Sequence, residues 1–177
     1  MKVGLVRHFK VTHGYPKKYI TAEELVKWEK EYNESTVEEK EIELSQVKWE
    51  KCFSSDLPRA RETAERCFDG TIIYLEELRE VALSPFFQKK IRLPLFIHIF
   101  FIRFAWIVNH KSQLEKKSDV LKRVNKALDL ALQSGEDVLI ISHGGVMKYM
   151  TKELKKRGFR GPKFRRPENG VLYTFVK

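Results

Sequence analysis

The chain has 177 residues, of which 42% are hydrophobic and 33% are charged. This composition is ordinary for a globular protein and excludes a chain that is disordered throughout, and the length fits one compact domain with a sizeable core. The net charge of +10 favours anionic partners. The positive charge is concentrated in residues 152–166. This segment is either a solvated helix end and loop or a surface that attracts a phosphorylated substrate, anionic lipid or nucleic acid. No nucleic-acid-binding motif accompanies it, so we expect no nucleic-acid partner.

The start of the chain carries an apolar run that is too short for the core of a signal peptide. Cys52 and Cys67 form no CxxC pair, and two reduced thiols are the simplest interpretation. We therefore expect a cytoplasmic protein.

Strands and helices alternate along the sequence. Capping and apolar periodicity predict a helix with Thr21 as its N-cap. Glu24 completes a capping box with Thr21. The apolar stripe of this helix consists of Leu25, Trp28 and Tyr32. The acidic segment Glu38–Glu43 is expected to be exposed.

Strands are predicted at Lys2–Val6, Val47–Ser54, Thr71–Leu75, Asp137–Ile141 and Val171–Val176. Further helices are predicted at Leu57–Phe68 (capped by Asp56), Lys111–Gln133 and Gly144–Lys156. This alternation predicts a three-layer α/β/α fold with a mainly parallel central sheet, in a single domain of residues 1–177.

Polar segments follow three of the predicted strands: Arg7-His8, residues 54–59 with Arg59, and Ser142-His143-Gly144-Gly145. The carboxyl ends of parallel strands form the ligand-binding edge of such sheets, so two histidines and two arginines should meet there. Guanidinium groups match phosphate oxygens, a helix N-terminus favours an anion, and a neutral imidazole can attack phosphorus. The pattern predicts a site for phosphoryl transfer.

These segments resemble the histidine phosphatase superfamily, which includes the phosphoglycerate mutases. The similarity rests on Arg7-His8 after the first strand, on CFSSDLPRARETAE and on VLIISHGGVM, and it extends from Val3 to Val176. It implies that His8 forms a phosphohistidine and that no cofactor is needed. The residues implied to bind and stabilise the phosphoryl group are Arg7, Arg59, His143 and Gly144.

The segment LEELREVALSP resembles the acid-bearing stretch of the same family. The resemblance implies that Glu80 protonates the leaving group and then activates water, with Glu76 and Glu77 as nearby alternatives. His13, His98 and His110 show no metal-ligand spacing, so no metal site is expected.

The sequence departs from the family pattern in the first loop. Phe9 stands where the family has glycine, which implies a rearranged loop, and Gly14 stands where mutase-like members often carry asparagine. Lys10 could reach the site or remain solvated. We therefore expect a histidine acid phosphatase-like phosphoric monoester hydrolase that acts on a phosphorylated small molecule or phosphopeptide. The alternatives are a phosphoglycerate-type mutase and a non-catalytic phosphate- or lipid-binding module.

The segment Ile91–Val108 is nearly as long and apolar as a membrane span, but it contains Pro94 and Arg103. An arginine at the centre of a spanning helix costs about 2.5 kcal/mol or more, so we expect no span. Two interpretations stay open. The segment forms a buried or site-capping helix within a cap-like insertion around residues 85–110, which would suit a substrate with a hydrophobic part. Alternatively, it forms a dimer contact or a peripheral membrane contact.

Overall fold

The computed structural model describes residues 1–16, 18–38, 42–44, 47–87 and 91–177. The strands are β1 (Lys2–Arg7), β2 (Tyr19–Ile20), β3 (Lys51–Ser55), β4 (Ile72–Leu75), β5 (Leu93–Pro94), β6 (Val138–Ser142) and β7 (Leu172–Val176). The helices are α1 (Ala22–Glu34), α2 (Pro58–Cys67), α3 (Leu95–Ile107), α4 (Lys117–Leu132) and α5 (Gly144–Lys156), and Glu76–Leu78 forms a 3₁₀ turn.

Five strands form a central sheet in the order β4-β3-β6-β1-β7. Strands β4, β3, β6 and β1 are parallel, whereas β7 runs antiparallel to β1 at the edge. The short strands β2 and β5 pair separately. The predicted mainly parallel sheet is therefore confirmed, and β6 lies between the two strands that lead to Arg7-His8 and to Ser54-Ser55.

Helices cover both faces of the sheet because successive strand residues point to opposite sides. Val3 and Leu5 of β1 pack in one cluster with Val124 of α4 and Met147 of α5. The opposite face packs against α2, and the members of that cluster include Val6, Cys52, Ala60, Ala64 and Ile141. The predicted three-layer α/β/α fold is confirmed.

Local signals place α1 and α5 correctly. The Thr21 hydroxyl accepts from the Glu24 N–H at 3.1 Å, and the Glu24 carboxylate accepts from the Thr21 N–H at 2.8 Å, so the predicted capping box is present. Helix α5 spans the predicted residues. Residues 39–41 of the predicted acidic segment lie outside the described residues, whereas Glu38 and Glu43 are exposed.

Three predicted boundaries are wrong for tertiary reasons. β3 begins at Lys51 instead of Val47, because its ladder partner β6 begins at Val138. Asp56 does not cap α2, since its carboxylate binds the Arg79 guanidinium. Helix α4 begins at Lys117 instead of Lys111.

Residues that precede α4 form turns. Gln113 donates to the Ser84 carbonyl at 3.0 Å, which draws the chain toward the segment after Glu80. Leu114, which falls within the predicted helix Lys111–Gln133, lies in this turn region and is 86% exposed.

Helix α3 forms most of the apolar segment Ile91–Val108 and has 13 residues. Within the described ranges, no helix combines the length and apolar character needed to cross a membrane. The inner side of α3 packs on α1, because Ile102 joins Ile20 and Leu25 in one cluster. His98 is buried, and its Nε2 bonds with the Ile20 carbonyl at 2.9 Å.

Candidate active site

The three polar segments meet at one edge of the sheet. His8 follows β1, and its backbone N–H donates to the Ser142 carbonyl of β6 at 3.0 Å. The ring of His143, which follows β6, lies 5.1 Å from the ring of His8. His8, Arg59 and His143 are 2%, 3% and 0% exposed. The parallel register of β3, β6 and β1 thus brings these side chains together.

The hydrogen bonds of His8 define its tautomer. Nδ1 lies 2.6 Å from the Phe9 carbonyl oxygen, which can only accept, so Nδ1 carries the proton. The Arg59 Nε–H donates to Nε2 at 3.2 Å, so Nε2 presents a lone pair. Burial lowers the pKa of His8 well below 6.5, and the charges of Arg59 and Arg7 lower it further. His8 is therefore a neutral imidazole whose Nε2 carries no proton.

Arg59 lies in the first turn of α2 and is held by α1. Its Nη1 donates to the Asn33 Oδ1 at 2.5 Å, and its guanidinium lies 5.4 Å from the centre of the Tyr32 ring. Burial lowers the pKa of Arg59 from its ordinary value, although nearby Tyr32, Glu80 and Glu29 oppose this. The guanidinium remains charged because its ordinary pKa is far above neutrality.

Two buried nitrogens at this edge have no hydrogen-bond partner among the described residues, namely Arg7 Nε and His143 Nδ1. The other nitrogen of His143 bonds with the Ser55 hydroxyl at 2.9 Å, and Arg7 Nη1 donates to the Pro167 carbonyl at 3.1 Å. Burial, followed by the charge of Arg59, lowers the pKa of His143 well below 6.5. Buried polar atoms are rarely left unpaired, so this edge is suited to an anion that pairs them.

Glu80 reaches the N-terminus of α5. Its Oε2 accepts from the Gly145 N–H at 2.9 Å, and its Oε1 accepts from the Val81 N–H at 3.1 Å. A side chain at position 145 would collide with this carboxyl group, so glycine permits the approach. At Gly144, by contrast, a Cβ would make an ordinary contact with Arg7 Nε at 3.4 Å.

The alternatives to Glu80 bind surface cations. Glu76 pairs with Arg79 at 3.2 Å, and Glu77 pairs with Lys126 at 2.5 Å. The hydrogen bond of Glu80 to Gly145 distinguishes it from these two carboxylates. Lys10 is exposed and pairs with Glu38 at 2.6 Å, in agreement with the solvated alternative.

Phe9 contributes its backbone to the site and its side chain to the core. Its carbonyl accepts from His8, and its N–H donates to the Thr63 hydroxyl at 2.9 Å. The ring is fully buried in a cluster with Val11 and Val37. The bulk that replaces glycine is therefore packed away from the His8 imidazole.

Sequence reasoning missed the contribution of α1. Asn33 holds Arg59, and Glu29 accepts from the Leu83 N–H at 2.9 Å, beside the acid-bearing segment. Burial raises the pKa of Glu29, and the charge of Glu80 adds to this. Glu29 and Asn33 are four residues apart on one helix face, next to the stripe of Trp28 and Tyr32. This four-residue spacing was the signal that the sequence offered for a polar pair on α1. It did not reveal what the pair contacts, because Arg59 lies in a distant part of the sequence.

An open cavity of about 460 Å³ borders the site beside Arg7. Its other lining residues are Lys10, Glu38, Arg166, Pro167, Glu168 and Asn169. Asn169 supports the first loop, because its side-chain amide donates to the His8 carbonyl at 2.7 Å. Across the ranges that the structure describes, no group of three or more His, Cys, Asp or Glu side chains could hold a metal ion.

Several solved structures share this fold. The alpha-ribazole phosphatase from Shigella flexneri has a TM-score of 0.58 and 18% identity, over 98% of this chain and 89% of that chain. YhfR from Bacillus stearothermophilus has a TM-score of 0.56 and 24% identity, over 88% of this chain and 80% of that chain. The mycobacterial glucosyl-3-phosphoglycerate phosphatase has a TM-score of 0.54 and 18% identity, over 88% of this chain and 79% of that chain.

A search of curated protein sequences found no significant match. A family model, in contrast, matches residues 37–175, which include β3, β6 and the segments that carry Arg59, Glu80 and His143. Together with the fold, this match shows that the chain belongs to branch 1 of the histidine phosphatase superfamily.

Proposed function

We propose that this protein hydrolyses phosphomonoesters through a phosphohistidine on His8. The observation that carries the proposal is the state of the His8 ring. Its Nδ1–H is fixed by the Phe9 carbonyl, and its Nε2 lone pair is held by Arg59 in a buried, cationic setting. A neutral imidazole whose Nδ1 carries the proton presents Nε2 as the atom that can attack phosphorus once Arg59 turns to the phosphate.

The reaction has two steps. The Arg59 Nε–H leaves Nε2 and turns to a phosphoryl oxygen, which frees the lone pair. His8 Nε2 then forms a bond to phosphorus, the bond between phosphorus and the ester oxygen breaks, and Glu80 gives a proton to the leaving oxygen. A water molecule then attacks the phosphohistidine, the bond between phosphorus and Nε2 breaks, and Glu80 takes the proton of the water. Inorganic phosphate leaves, and both residues return to their starting states.

Arg7, Arg59, His143 and the N-terminus of α5 at Gly144 would bind the phosphoryl group. A phosphate monoester carries about −1.5 to −2 charges near pH 7, and two arginines offset most of that charge. The unpaired Arg7 Nε and His143 Nδ1 support this assignment, because phosphate oxygens would satisfy both. Preorganised donors of this kind stabilise the transferring group more than they stabilise the ground state.

The substrate would be a phosphorylated small molecule or a phosphopeptide. Two proteins that share the fold are named as phosphatases of small molecules, alpha-ribazole phosphatase and glucosyl-3-phosphoglycerate phosphatase. The cavity beside Arg7 is within the usual size range of ligand sites, so it could hold the part of the substrate that does not react. In the single domain of residues 1–177, we propose residues 85–110 as a cap beside the site.

The test is hydrolysis of an aryl phosphate by the wild-type chain and by His8→Ala. We expect activity in the wild type and a loss of at least about 10³-fold in the variant, since the nucleophile is removed. His13→Ala is the matched control, because His13 lies near Glu31, outside the buried cluster. Equal activity of His8→Ala and the wild type would remove the mechanism.

Two other functions make different predictions. A phosphoglycerate-type mutase would need a bisphosphate primer and would retain phosphate in its product. A non-catalytic phosphate- or lipid-binding module would bind phosphate without turnover. The burial of Phe9 away from His8 favours catalysis over the second alternative. Assignment to the histidine acid phosphatase type stays a prediction.

A further inference from the structure

Helix α3 presents a stripe of large apolar side chains to the surface. We call this stripe the α3 outer face; it consists of Phe96, Phe100, Phe104 and Ile107, which are 70%, 61%, 51% and 70% exposed. Their spacing of four, four and three residues places them along one side of the helix. The opposite side holds the buried residues His98, Ile102 and Ala105. Arg103 is the one charged residue of the helix, and it lies on the same side, three residues after Phe100. A stripe of exposed aromatic side chains of this length calls for a partner.

Exposed apolar residues also flank the helix in the sequence. Ile91 and Val108, at the two ends of the segment, are 45% and 52% exposed. Leu114, just beyond, is 86% exposed. Exposed apolar side chains with several aromatic rings among them mark an interaction site.

The sequence of the segment that contains α3 is rich in cations and poor in carboxylates. Residues 81–114 contain no aspartate or glutamate but five lysines and arginines: Lys89, Lys90, Arg92, Arg103 and Lys111. Arg103 and Lys111 are exposed. Arg92 pairs with Glu24 but its side chain is 63% exposed. On α5, partial burial and then the charge of Arg103 lower the pKa of Lys148, whereas the charge of Glu80 raises it.

We propose that the α3 outer face docks on an anionic lipid bilayer. The phenylalanine rings would enter the region between headgroups and acyl chains, while Arg103 and Lys111 contact anionic headgroups. The helix would lie in the plane of the surface. Its 13 residues reach only about 20 Å, whereas the hydrocarbon core is about 30 Å thick.

A second copy of the chain fits this face less well. A twofold dimer uses the same patch on both subunits, so the cations around one patch would meet the same cations around the other. Like charges brought together across an interface oppose association, and the chain carries a net charge of +10. An anionic bilayer complements both features, because its acyl region accepts the apolar rings and its headgroups pair with the cations.

Helix α3 is joined to the elements that carry the candidate active site. The Trp106 ring of α3 lies 5.9 Å from the Tyr149 ring of α5, the helix whose first turn holds Glu80. Gln113 also bonds the segment after α3 to Ser84. The inference goes beyond the proposed hydrolysis and does not depend on it.

The test is co-sedimentation of the full chain with two kinds of vesicle, one of phosphatidylcholine alone and one with phosphatidylglycerol added. We expect partition to the anionic vesicles, weakened by salt. Phe100→Ser with Phe104→Ser should lower that partition by at least about tenfold, because each ring adds buried apolar area. Arg103→Ala should lower it by roughly fivefold.

Matched controls lie on α4. Leu130→Ser changes an apolar residue that is 45% exposed, and Lys122→Ala removes an exposed cation. Both should partition as the wild type does, and far-UV circular dichroism checks that every variant is folded. The comparison of the two vesicles uses the wild type alone and stands even if a variant fails to fold.

Three results would overturn the proposal. One is no partition to anionic vesicles, and another is equal partition to both kinds of vesicle, since the charge would then contribute nothing. The third is a dimer, seen by light scattering, that Phe104→Glu dissociates, because the α3 outer face would then be a contact between copies.

Discussion

Arg59 links more parts of the candidate site than any other residue described. It contacts the nucleophile proposed at His8, and it is fixed by Asn33 and Tyr32 of α1. A planar guanidinium can hold several such partners at once, whereas an ammonium group offers a single point charge. We therefore expect the geometry of this side chain, in addition to its charge, to matter for activity.

We predict that Arg59→Lys lowers kcat/KM for an aryl phosphate by about 10²-fold or more, because a preorganised donor to the phosphoryl group is lost. Arg61→Lys is the matched control on the same helix, since Arg61 is exposed and lies over the Tyr74 ring. Steady-state kinetics of both variants measure the effect. Equal losses in the two variants would contradict a specific role for Arg59.

At Glu80 the prediction concerns the leaving group. Glu80→Gln should lower kcat/KM, which reports the steps up to the phosphoenzyme, far more for an alkyl phosphate than for an aryl phosphate bearing a nitro group, because only the alkoxide needs a proton from an acid. Glu76→Gln, which changes an exposed carboxylate, should affect neither substrate. If Glu80→Gln lowered kcat/KM equally for both substrates, Glu80 would not be the acid.

Among the structural elements, the loop after β1 is the one on which the site most depends. Its backbone fixes the His8 ring through the Phe9 carbonyl, and Asn169 bonds to the His8 carbonyl from the segment before β7. The loop is anchored by the Phe9 ring, which packs with Val11 and Val37. Packing of Phe9 therefore stabilises the tautomer that the mechanism requires.

We predict that Phe9→Ala lowers the free energy of unfolding by about 3–5 kcal/mol, since a buried aromatic ring is removed. Urea unfolding measures this loss. Phe96→Ala, at a position that is 70% exposed, should change it by no more than about 0.5 kcal/mol. Similar values for the two variants would show that the Phe9 ring does not anchor the loop.

At the scale of the whole molecule, the sequence predicts the structure correctly where the signal is local. Arg7-His8, residues 54–59 and Ser142–Gly145 each lie next to their own strand, so the parallel order alone brings them together. The support from Glu29 and Asn33 could not be predicted, because Arg59 and Leu83 reach α1 only through packing. The start of α4 was mispredicted for the same reason, since Ser84 draws residues 113–114 into a turn.

The whole molecule should also lose stability in acid. His8 and His143 have pKa values well below 6.5, because they are buried beside cations. As the pH falls below about 6.5, the unfolded chain takes up protons on these rings while the folded chain does not. The free energy of unfolding should therefore fall, by up to about 2.7 kcal/mol per pH unit for two sites, until the folded pKa values are reached.

Urea unfolding between pH 7.5 and pH 5 measures this slope. We expect the double variant His8→Asn, His143→Asn to show a shallower slope than the wild type. The control pair His13→Asn, His110→Asn leaves the buried rings in place and should keep the slope they contribute. An unchanged slope in the His8, His143 variant would contradict the buried neutral state of these rings.

The most direct test of the central claim is to trap the phosphoenzyme. Wild-type chain is mixed briefly with a ³²P-labelled phosphomonoester, quenched in alkali and digested. We predict a labelled peptide that contains His8, stable in alkali and labile in acid, and absent from His8→Ala. Turnover of the substrate without such a label, or an equal label on His8→Ala, would contradict nucleophilic catalysis by His8.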